Sequence, residues 1–266
     1  MKYLLFLICI CMINITVEAQ FYERYSNEIN RILIENNLKK DNMIAQDFNV
    51  AGMFFYNRRS WYEAEIMFYT AIDLDNSHIL ASYNLACVLS IRLNNSSPRF
   101  PYLSEEFFDE SAPFAQLYHT VRLDPNRGIR ARNDPDFDNI RNIDSRLFNA
   151  VTLPEDQRER FLYEVIYIDL EYAPGIGLFD LIFADIEHIN DENRWHRINA
   201  WQSPLLKDMN LYYSDENEWF PRWIRNEEMI GKRFRLVIID QPGYAEGLGG
   251  THIILTNKVF SITEIN

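Results

Sequence analysis

Hydrophobic residues follow two different periods along this chain. In "FYERYSNEINRILIENN", residues 21–37, the apolar side chains lie three or four positions apart, which predicts an amphipathic helix. From about Phe161 onward, runs such as "LYEVIYIDLEY" and "KRFRLVIID" are rich in Val, Ile, Phe and Tyr and partly alternate, which predicts antiparallel strands. We therefore expect an α+β protein, with an α-helical domain followed by a small antiparallel β-rich barrel or sandwich.

A regular spacing of small and aromatic residues runs through the segment 46–76. Small residues at three positions would let two antiparallel helices approach closely, two phenylalanines would fill the space between them, and "NRRS" would form the turn. The positions are Gly52, Phe55, Ala64, Phe68 and Ala71, followed by Asn76. This spacing resembles the tetratricopeptide repeat, a helix-turn-helix unit of about 34 residues. Asn76 departs from it, because the family usually has Pro there.

A second unit follows at the same offset. Adding 34 places Gly52 on Ala86 and Phe55 on Leu89, so "SYNLACVLS" (82–90) resembles the first helix of a second repeat. The end of its second helix, "TVRLDP" with Pro125, comes 15 residues late, which predicts an insertion at 94–111. "IRARNDPDFDNIR" resembles the closing segment of bacterial repeat arrays. The resemblance covers about 45–141, within a helical domain expected at 20–158 and a β-rich domain at 159–266.

The resemblance implies a non-catalytic scaffold that binds a protein or peptide on the surface of its first helices. Asn84 falls where the family often has an Asn that bonds a ligand backbone, and Asn49 and Met53 lie on the aligned face of the preceding repeat. The subset that clamps a C-terminal carboxylate needs basic residues there, and Asn49 and Met53 do not supply them. Two alternatives stay open: Asn84 as a packing residue, and occupation of the groove by the 94–111 insertion.

The first nineteen residues have the pattern of a secretory signal peptide, with Lys2, an apolar run and "VEA" before Gln20. An uncleaved anchor and a lipidated N-terminus at Cys9 or Cys11 are the alternatives. Cleavage would leave Cys87 alone among apolar neighbours, which predicts a small buried side chain rather than a reactive thiol. We expect export to the periplasm, the cell surface or the medium, and no membrane span in the mature chain. The net charge of −13 argues against nucleic acid and anionic membranes and favours neutral or basic partners.

The β-rich half offers a different function. Four of the five tryptophans lie in the last third of the chain, and exposed aromatic rings can stack on sugars. The alternative hypothesis is therefore a glycan- or cell-wall-binding protein that uses Trp201, Trp219 and Trp223. The competing interpretation is that these rings fill a core.

Catalytic and metal-binding patterns are sparse. The Gly-rich stretch "QPGYAEGLGGTH" lacks the Lys-Ser/Thr ending of a phosphate loop and is followed by a strand pattern, which favours a hairpin connection. Zinc spacings and the calcium loop are missing from the sequence, so we expect no metal, no cofactor and no enzymatic activity. A hydrolase built from Asp180, Asp185, His188 or His252 is the remaining alternative.

Overall fold

The computed structural model describes residues 26–93, 111–172, 179–192, 195–199, 205–215, 222–247 and 250–265. The leader at 1–19 and nearly all of the 94–111 insertion lie outside these ranges. The chain divides into two compact units, one consisting mainly of the helices up to Phe148 and one containing most of the sheet from Asn149 onward. No helix in the described ranges has both the length and the apolar character needed to span a bilayer.

The predicted α+β class is confirmed. The helices are α1 (26–35), α2 (Ala45–Tyr56), α3 (Trp61–Leu74), α4 (Ile79–Arg92), α5 (Ala112–Leu123), α6 (Asn126–Ala131), α7 (Asp138–Ile143), α8 (Ser145–Thr152) and α9 (Leu205–Asp208). The strands are β1 (Arg160–Tyr172), β2 (Phe179–Asp185), β3 (Trp195–Asn199), β4 (Tyr212–Asp215), β5 (Arg222–Arg225), β6 (Arg233–Gly247) and β7 (Gly250–Ile265).

The first helix pair forms because a glycine faces a large ring. A β-carbon on Gly52 of α2 would lie 2.4 Å from Cε1 of Phe68 on α3, so only glycine permits this approach. Phe55, Ala64, Phe68 and Ala71 are buried, as the spacing predicted. The turn between the helices includes Arg59, whose φ of 59° is left-handed.

The second helix pair is joined by polar contacts in its interior. The buried hydroxyls of Ser82 on α4 and Thr120 on α5 lie 2.8 Å apart, and Gln116 donates to Ser82 Oγ at 2.7 Å. Ala86 and Leu89 are buried, whereas Pro125 is exposed at the start of α6. The long connection therefore joins two helices that pack as a pair.

A buried ion pair links α3 to α4. The guanidinium of Arg92 donates to the carboxylate of Glu65, and their side chains are only 2% and 0% exposed. The Arg92 guanidinium also lies 5.9 Å from the centre of the Tyr62 ring. Hydrophobic periodicity did not predict this pair, because both residues interrupt apolar stretches.

The strands form a five-stranded antiparallel sheet curved as a half-barrel, in the order β3-β2-β1-β6-β7, and a separate two-stranded ribbon of β4 and β5. The β1–β2 register shifts between Tyr167 and Asp169, where a bulge bends the sheet. Buried side chains from alternate strand positions form the core of this unit; among them are Val165, Tyr167, Phe183, Phe234 and Leu236. Most of the predicted Gly-rich connection is itself strand, since β6 continues to Gly247 and β7 begins at Gly250.

Candidate functional site

The N-terminal halves of α2 and α4 are connected by side-chain amides. The amide nitrogen of Asn84 donates to Oδ1 of Asn49 at 3.0 Å. Closer to the start of both helices, Oε1 of Gln46 lies 3.0 Å from Nε2 of His78, the residue that caps α4. Asn49 is almost fully buried, whereas Asn84 is half-buried and Gln46 is exposed. These contacts fix two polar side chains at the junction of the two helices.

Apolar side chains lie at helical spacing from this polar junction. Met53 lies four residues after Asn49 on α2 and is half-buried against the helical core. Leu80 lies four residues before Asn84 on α4 and is 43% exposed. Residues four apart share one side of a helix. Gln46, Asn49, Met53, Leu80 and Asn84 are called the α2/α4 face below.

The structure therefore brings Asn49 and Asn84 into direct contact. The direct bond also gives the packing interpretation of Asn84 a physical basis. An Asn side chain can make four hydrogen bonds, two as donor and two as acceptor, so the bond to Asn49 uses one of them. A structural bond and ligand binding are thus compatible in the same side chain.

The same two helices also contact the closing segment of the chain. Tyr83 of α4 donates its hydroxyl to Asp134 at 2.9 Å, and Tyr56 at the end of α2 donates to Asp136. The amide of Asn139 donates to the backbone carbonyl of Ser90 at 2.9 Å. Residues 134–139, which belong to the predicted closing segment, therefore contact the last residue of α2 and both halves of α4. The 94–111 insertion, the alternative occupant of the groove, lies outside the described residues except for Ser111.

The ring of Phe137 anchors the closing segment. Phe137 is fully buried, and its ring meets Tyr83 edge-on at 5.5 Å between centroids. Asp134 accepts the backbone N–H of Asp136 and so begins the short 3₁₀ turn Pro135–Phe137. The "DPDF" motif thus supplies one anchor and two acceptors. The sequence identified this motif but gave no indication that its carboxylates would meet Tyr56 and Tyr83.

Cys87 lies beneath the two carboxylates. Its sulfur and carboxylate oxygens of Asp134 and Asp136 lie within 4.8 Å of one another. Burial raises the pKa of the Cys87 thiol well above its usual value, and the nearby negative charges of Asp136 and Asp134 raise it further. The thiol is therefore protonated at neutral pH, which opposes a nucleophilic role.

The same three residues are close enough for one cation to contact all of them. Metal binding would require the thiolate, which burial and both carboxylates disfavour. Asp134 and Asp136 already accept hydrogen bonds from Tyr83 and Tyr56. These contacts account for the cluster as a structural junction between α2, α4 and the closing segment.

In the sheet unit, Trp223 is part of an aromatic cluster. Its ring centre lies 5.3 Å from that of Phe179 and 5.5 Å from that of Tyr212, which it meets edge-on. Trp223 is half-buried and packs against the core. These contacts are those of a core residue. Trp201 and Trp219, the other two residues proposed to bind glycans, lie outside the described residues.

The acidic and histidine residues considered for hydrolysis do not form a constellation in the described ranges. Asp185 ends β2, and its carboxylate accepts the backbone N–H of Glu187, so it begins the short 3₁₀ turn Ile186–His188. His188 Nδ1 lies 3.6 Å from Asp185 Oδ2 within that turn. Asp180 pairs with Asn199 of β3, and the side chain of His252 lies outside the described residues. β2 therefore ends at Asp185, and residues 186–188 form a turn rather than further strand.

Comparison with protein-family models, with curated proteins and with solved structures finds no match to this chain. Function is therefore inferred from the geometry of the two units.

Proposed function

We propose that this protein is an exported, non-catalytic scaffold that binds a peptide segment of a partner protein on the α2/α4 face. The observation that carries the proposal is the hydrogen bond between Asn84 and Asn49, which fixes two amides where two helices meet. Side-chain amides can donate to and accept from an extended backbone without selecting a particular side chain. The resemblance of 45–141 to the tetratricopeptide repeat supports the same function by analogy at the level of the fold.

The size of the free surface limits the ligand. The closing segment contacts the last residue of α2 and both halves of α4 through Asp134, Asp136 and Asn139. The face that remains extends from Gln46 to Met53 on α2, a distance of about 10 Å at 1.5 Å per residue. A peptide of about three to four extended residues matches that length.

The chemistry of the face indicates what such a peptide would carry. Met53 and Leu80 would contact one or two apolar side chains, and methionine adapts readily to different shapes. The chain carries a net charge of −13, which favours a neutral or basic peptide over an acidic one. The proposed ligand is therefore a short, apolar-to-basic segment bound in extended form.

The test is selection of linear peptides from a displayed random library on the intact protein. Enriched peptides are then titrated against the wild type and against Met53→Glu and Asn84→Ala. Both variants should weaken binding about tenfold or more, because one puts a charge among apolar contacts and the other removes a hydrogen-bonding amide. Val50→Glu is the matched control, since Val50 lies on the same helix, is 53% exposed and is outside the α2/α4 face.

Circular dichroism spectra and unfolding curves would establish that each variant is folded. If enriched peptides bound Met53→Glu and Asn84→Ala as tightly as the wild type, the α2/α4 face would not be the binding surface. If the library yielded no binder, the proposal for short linear peptides would be wrong.

A further inference from the structure

His78 caps the start of α4 and connects it to α2. Its Nδ1 accepts the backbone N–H of Ala81 at 3.1 Å, which is the N-cap contact of this helix. Its Nε2 lies 3.0 Å from Oε1 of Gln46 on α2. The ring is half-buried. Without this cap the N–H of Ala81 would lack an acceptor, because the first four N–H groups of a helix have no partner within it.

The two contacts together assign the protonation state of the ring. A ring nitrogen that accepts a hydrogen bond carries no hydrogen, so Nδ1 is unprotonated. A neutral imidazole then has its one N–H at Nε2, which donates to the oxygen of Gln46. Only neutral His78 in this tautomer satisfies both partners. Serine, threonine and asparagine, which are more usual caps, accept the same bond without depending on pH.

We propose that His78 is a pH-dependent cap that holds the α2/α4 face in its binding geometry at neutral pH and releases it in mild acid. A proton on Nδ1 would turn the acceptor into a donor facing the N–H of Ala81, and it would add a positive charge at the positive end of the helix dipole. Histidine is the side chain whose charge ordinarily changes between about pH 5 and 8. This regulation rests on the proposed peptide-binding function of the same face.

Loss of the cap would act directly on the proposed binding surface. Leu80, which is 43% exposed on the α2/α4 face, lies in the first turn of α4 between His78 and Ala81. Gln46, another member of that face, would lose its partner on α4. The bond between the two asparagine amides farther along these helices contains no ionisable group and would remain. Acid should therefore weaken peptide binding without separating the two helices.

Asp75 offers the protonated ring an alternative partner. It is exposed and lies three residues before His78, in the connection between α3 and α4. Hydrogen bonds from the hydroxyl and the backbone N–H of Ser77 lower the pKa of Asp75, and the charge of His78 lowers it further. Asp73, in the last turn of α3, is exposed as well and adds negative charge there. An imidazolium that leaves Ala81 can therefore pair with a nearby carboxylate, which stabilises the released state.

Ionisable groups on α2 and α5 have contacts that survive mild acid. On α2, the hydrogen bond from Lys40 at 2.9 Å lowers the pKa of Asp47, so this pair stays charged. On α5, Nε2 of His119 lies 3.2 Å from a backbone carbonyl of the α3–α4 connection. Nε2 donates that bond in both charge states of the ring. Protonation therefore breaks the contacts of His78 but not this contact of His119.

Hydrogen exchange of the Ala81 amide, followed by NMR and divided by the intrinsic rate at each pH, tests the cap. In the wild type, the protection factor of Ala81 should fall about fivefold between about pH 7.5 and about pH 5.5, the amount expected from loss of one helix cap. His78→Asn is the matched control, because asparagine caps helices and does not titrate. Its Ala81 protection should be the same at both pH values. Asp75→Asn should move the wild-type change to lower pH, because it removes the negative partner of the imidazolium.

An unchanged protection factor in the wild type, or an equal fall in His78→Asn, would overturn the pH-dependent cap. A change that Asp75→Asn moved to higher pH would contradict the role of Asp75.

Peptide titration tests the consequence for the α2/α4 face. An acetylated peptide, enriched on the intact protein and free of Asp, Glu and His, has no side chain that titrates in this range, so a pH effect comes from the protein. Its affinity for the wild type should be about fivefold lower at about pH 5.5 than at about pH 7.5, and its affinity for His78→Asn should be equal at both. Equal affinity of the wild type at both pH values would overturn the regulation. If no peptide binds, the proposed function fails and its regulation with it, whereas exchange at Ala81 still decides whether His78 is a pH-dependent cap.

Discussion

Phe68 on α3 occupies the space in which a side chain at position 52 would stand. A β-carbon on Gly52 would lie 2.4 to 2.9 Å from three atoms of the Phe68 ring, and Phe68 is fully buried. The ring cannot move into solvent without leaving the core. The contact therefore depends on glycine at 52 and a large side chain at 68 together.

We expect Gly52→Ala to destabilise the protein by about 1–2 kcal/mol. The higher helix propensity of alanine should stabilise the folded protein by about 1 kcal/mol. Forcing a methyl group into a filled core costs about 1–3 kcal/mol, and the clash with Phe68 places the cost at this site at the upper end of that range. Urea unfolding followed by circular dichroism measures the change. In a Phe68→Leu background the same substitution should be neutral or stabilising. Equal destabilisation in both backgrounds would show that the Phe68 ring is not the cause.

The buried pair of Arg92 and Glu65 makes a second prediction. Arg92→Met should lower the free energy of unfolding by about 3–5 kcal/mol, because it leaves the Glu65 carboxylate without its charged partner in the interior. The double variant Arg92→Met/Glu65→Leu should be more stable than Arg92→Met alone, since apolar side chains of similar size can replace a buried ion pair. Denaturant unfolding of the three proteins gives the comparison. A double variant less stable than Arg92→Met would contradict burial of the charge as the cause.

Cys87 should react only when the chain opens. Burial is the main cause of its raised pKa, and Asp136 and Asp134 add to it. Iodoacetamide at about pH 8, with peptide mapping to separate Cys87 from Cys9 and Cys11, should therefore label Cys87 in urea and not in the native protein. Phe137→Ala, which removes the buried ring beside Tyr83, should accelerate native labelling far more than Asp136→Asn does. The reverse order would mean that charge rather than burial protects the thiol.

His196 on β3 should make the sheet unit sensitive to mild acid. Burial lowers the pKa of His196 below its usual 6.5, although Asp185 partly opposes the shift. The unfolded chain therefore binds the proton at a higher pH than the folded chain does. The contribution of neutral His196 to the free energy of unfolding is therefore complete above about pH 6.5, the unfolded pKa. This contribution is lost as the pH falls toward the lower pKa of His196 in the folded protein.

Urea unfolding at about pH 7.5 and about pH 5.5, on either side of the unfolded pKa, measures this effect. Tryptophan fluorescence is a suitable signal, because four of the five tryptophans lie in the second half of the chain. His196→Gln should reduce the stability difference between the two pH values. An identical pH dependence in the wild type and in His196→Gln would exclude His196 as its source.

Much of the helical unit could be predicted from the sequence because its contacts are local. Residues three and four apart on a helix necessarily share a side, so the burial of Phe55, Ala64, Phe68 and Ala71 follows from their spacing. The packing of α4 against α5 was also predictable, since "TVRLDP" repeats the end of α3. From the sequence, Asn49 and Asn84 could be assigned to the aligned faces of two repeats. The hydrogen bond between them could not be predicted.

The remaining features depend on distances that periodicity does not encode. No local pattern relates Tyr83 to Asp134 or Tyr56 to Asp136, which lie 51 and 80 positions apart. The pairing of Arg92 with Glu65 depends on which sides of α3 and α4 meet. The alternation of apolar and polar residues indicated strands but not their order in the sheet. The same alternation is compatible with any neighbouring strand, because it fixes only which face of the sheet each side chain occupies.

The sequence by itself determined the two periods, and with them a helical half and a strand half, because secondary structure responds to the spacing of apolar residues along the chain. It also determined that position 52 would be a point of close approach. Only the tertiary structure decided that the closing segment contacts α2 and α4, that Cys87 lies close to two carboxylates, and that β7 is the last strand of the sheet. These features arise from contacts between distant segments, and such contacts exist only once the chain has folded.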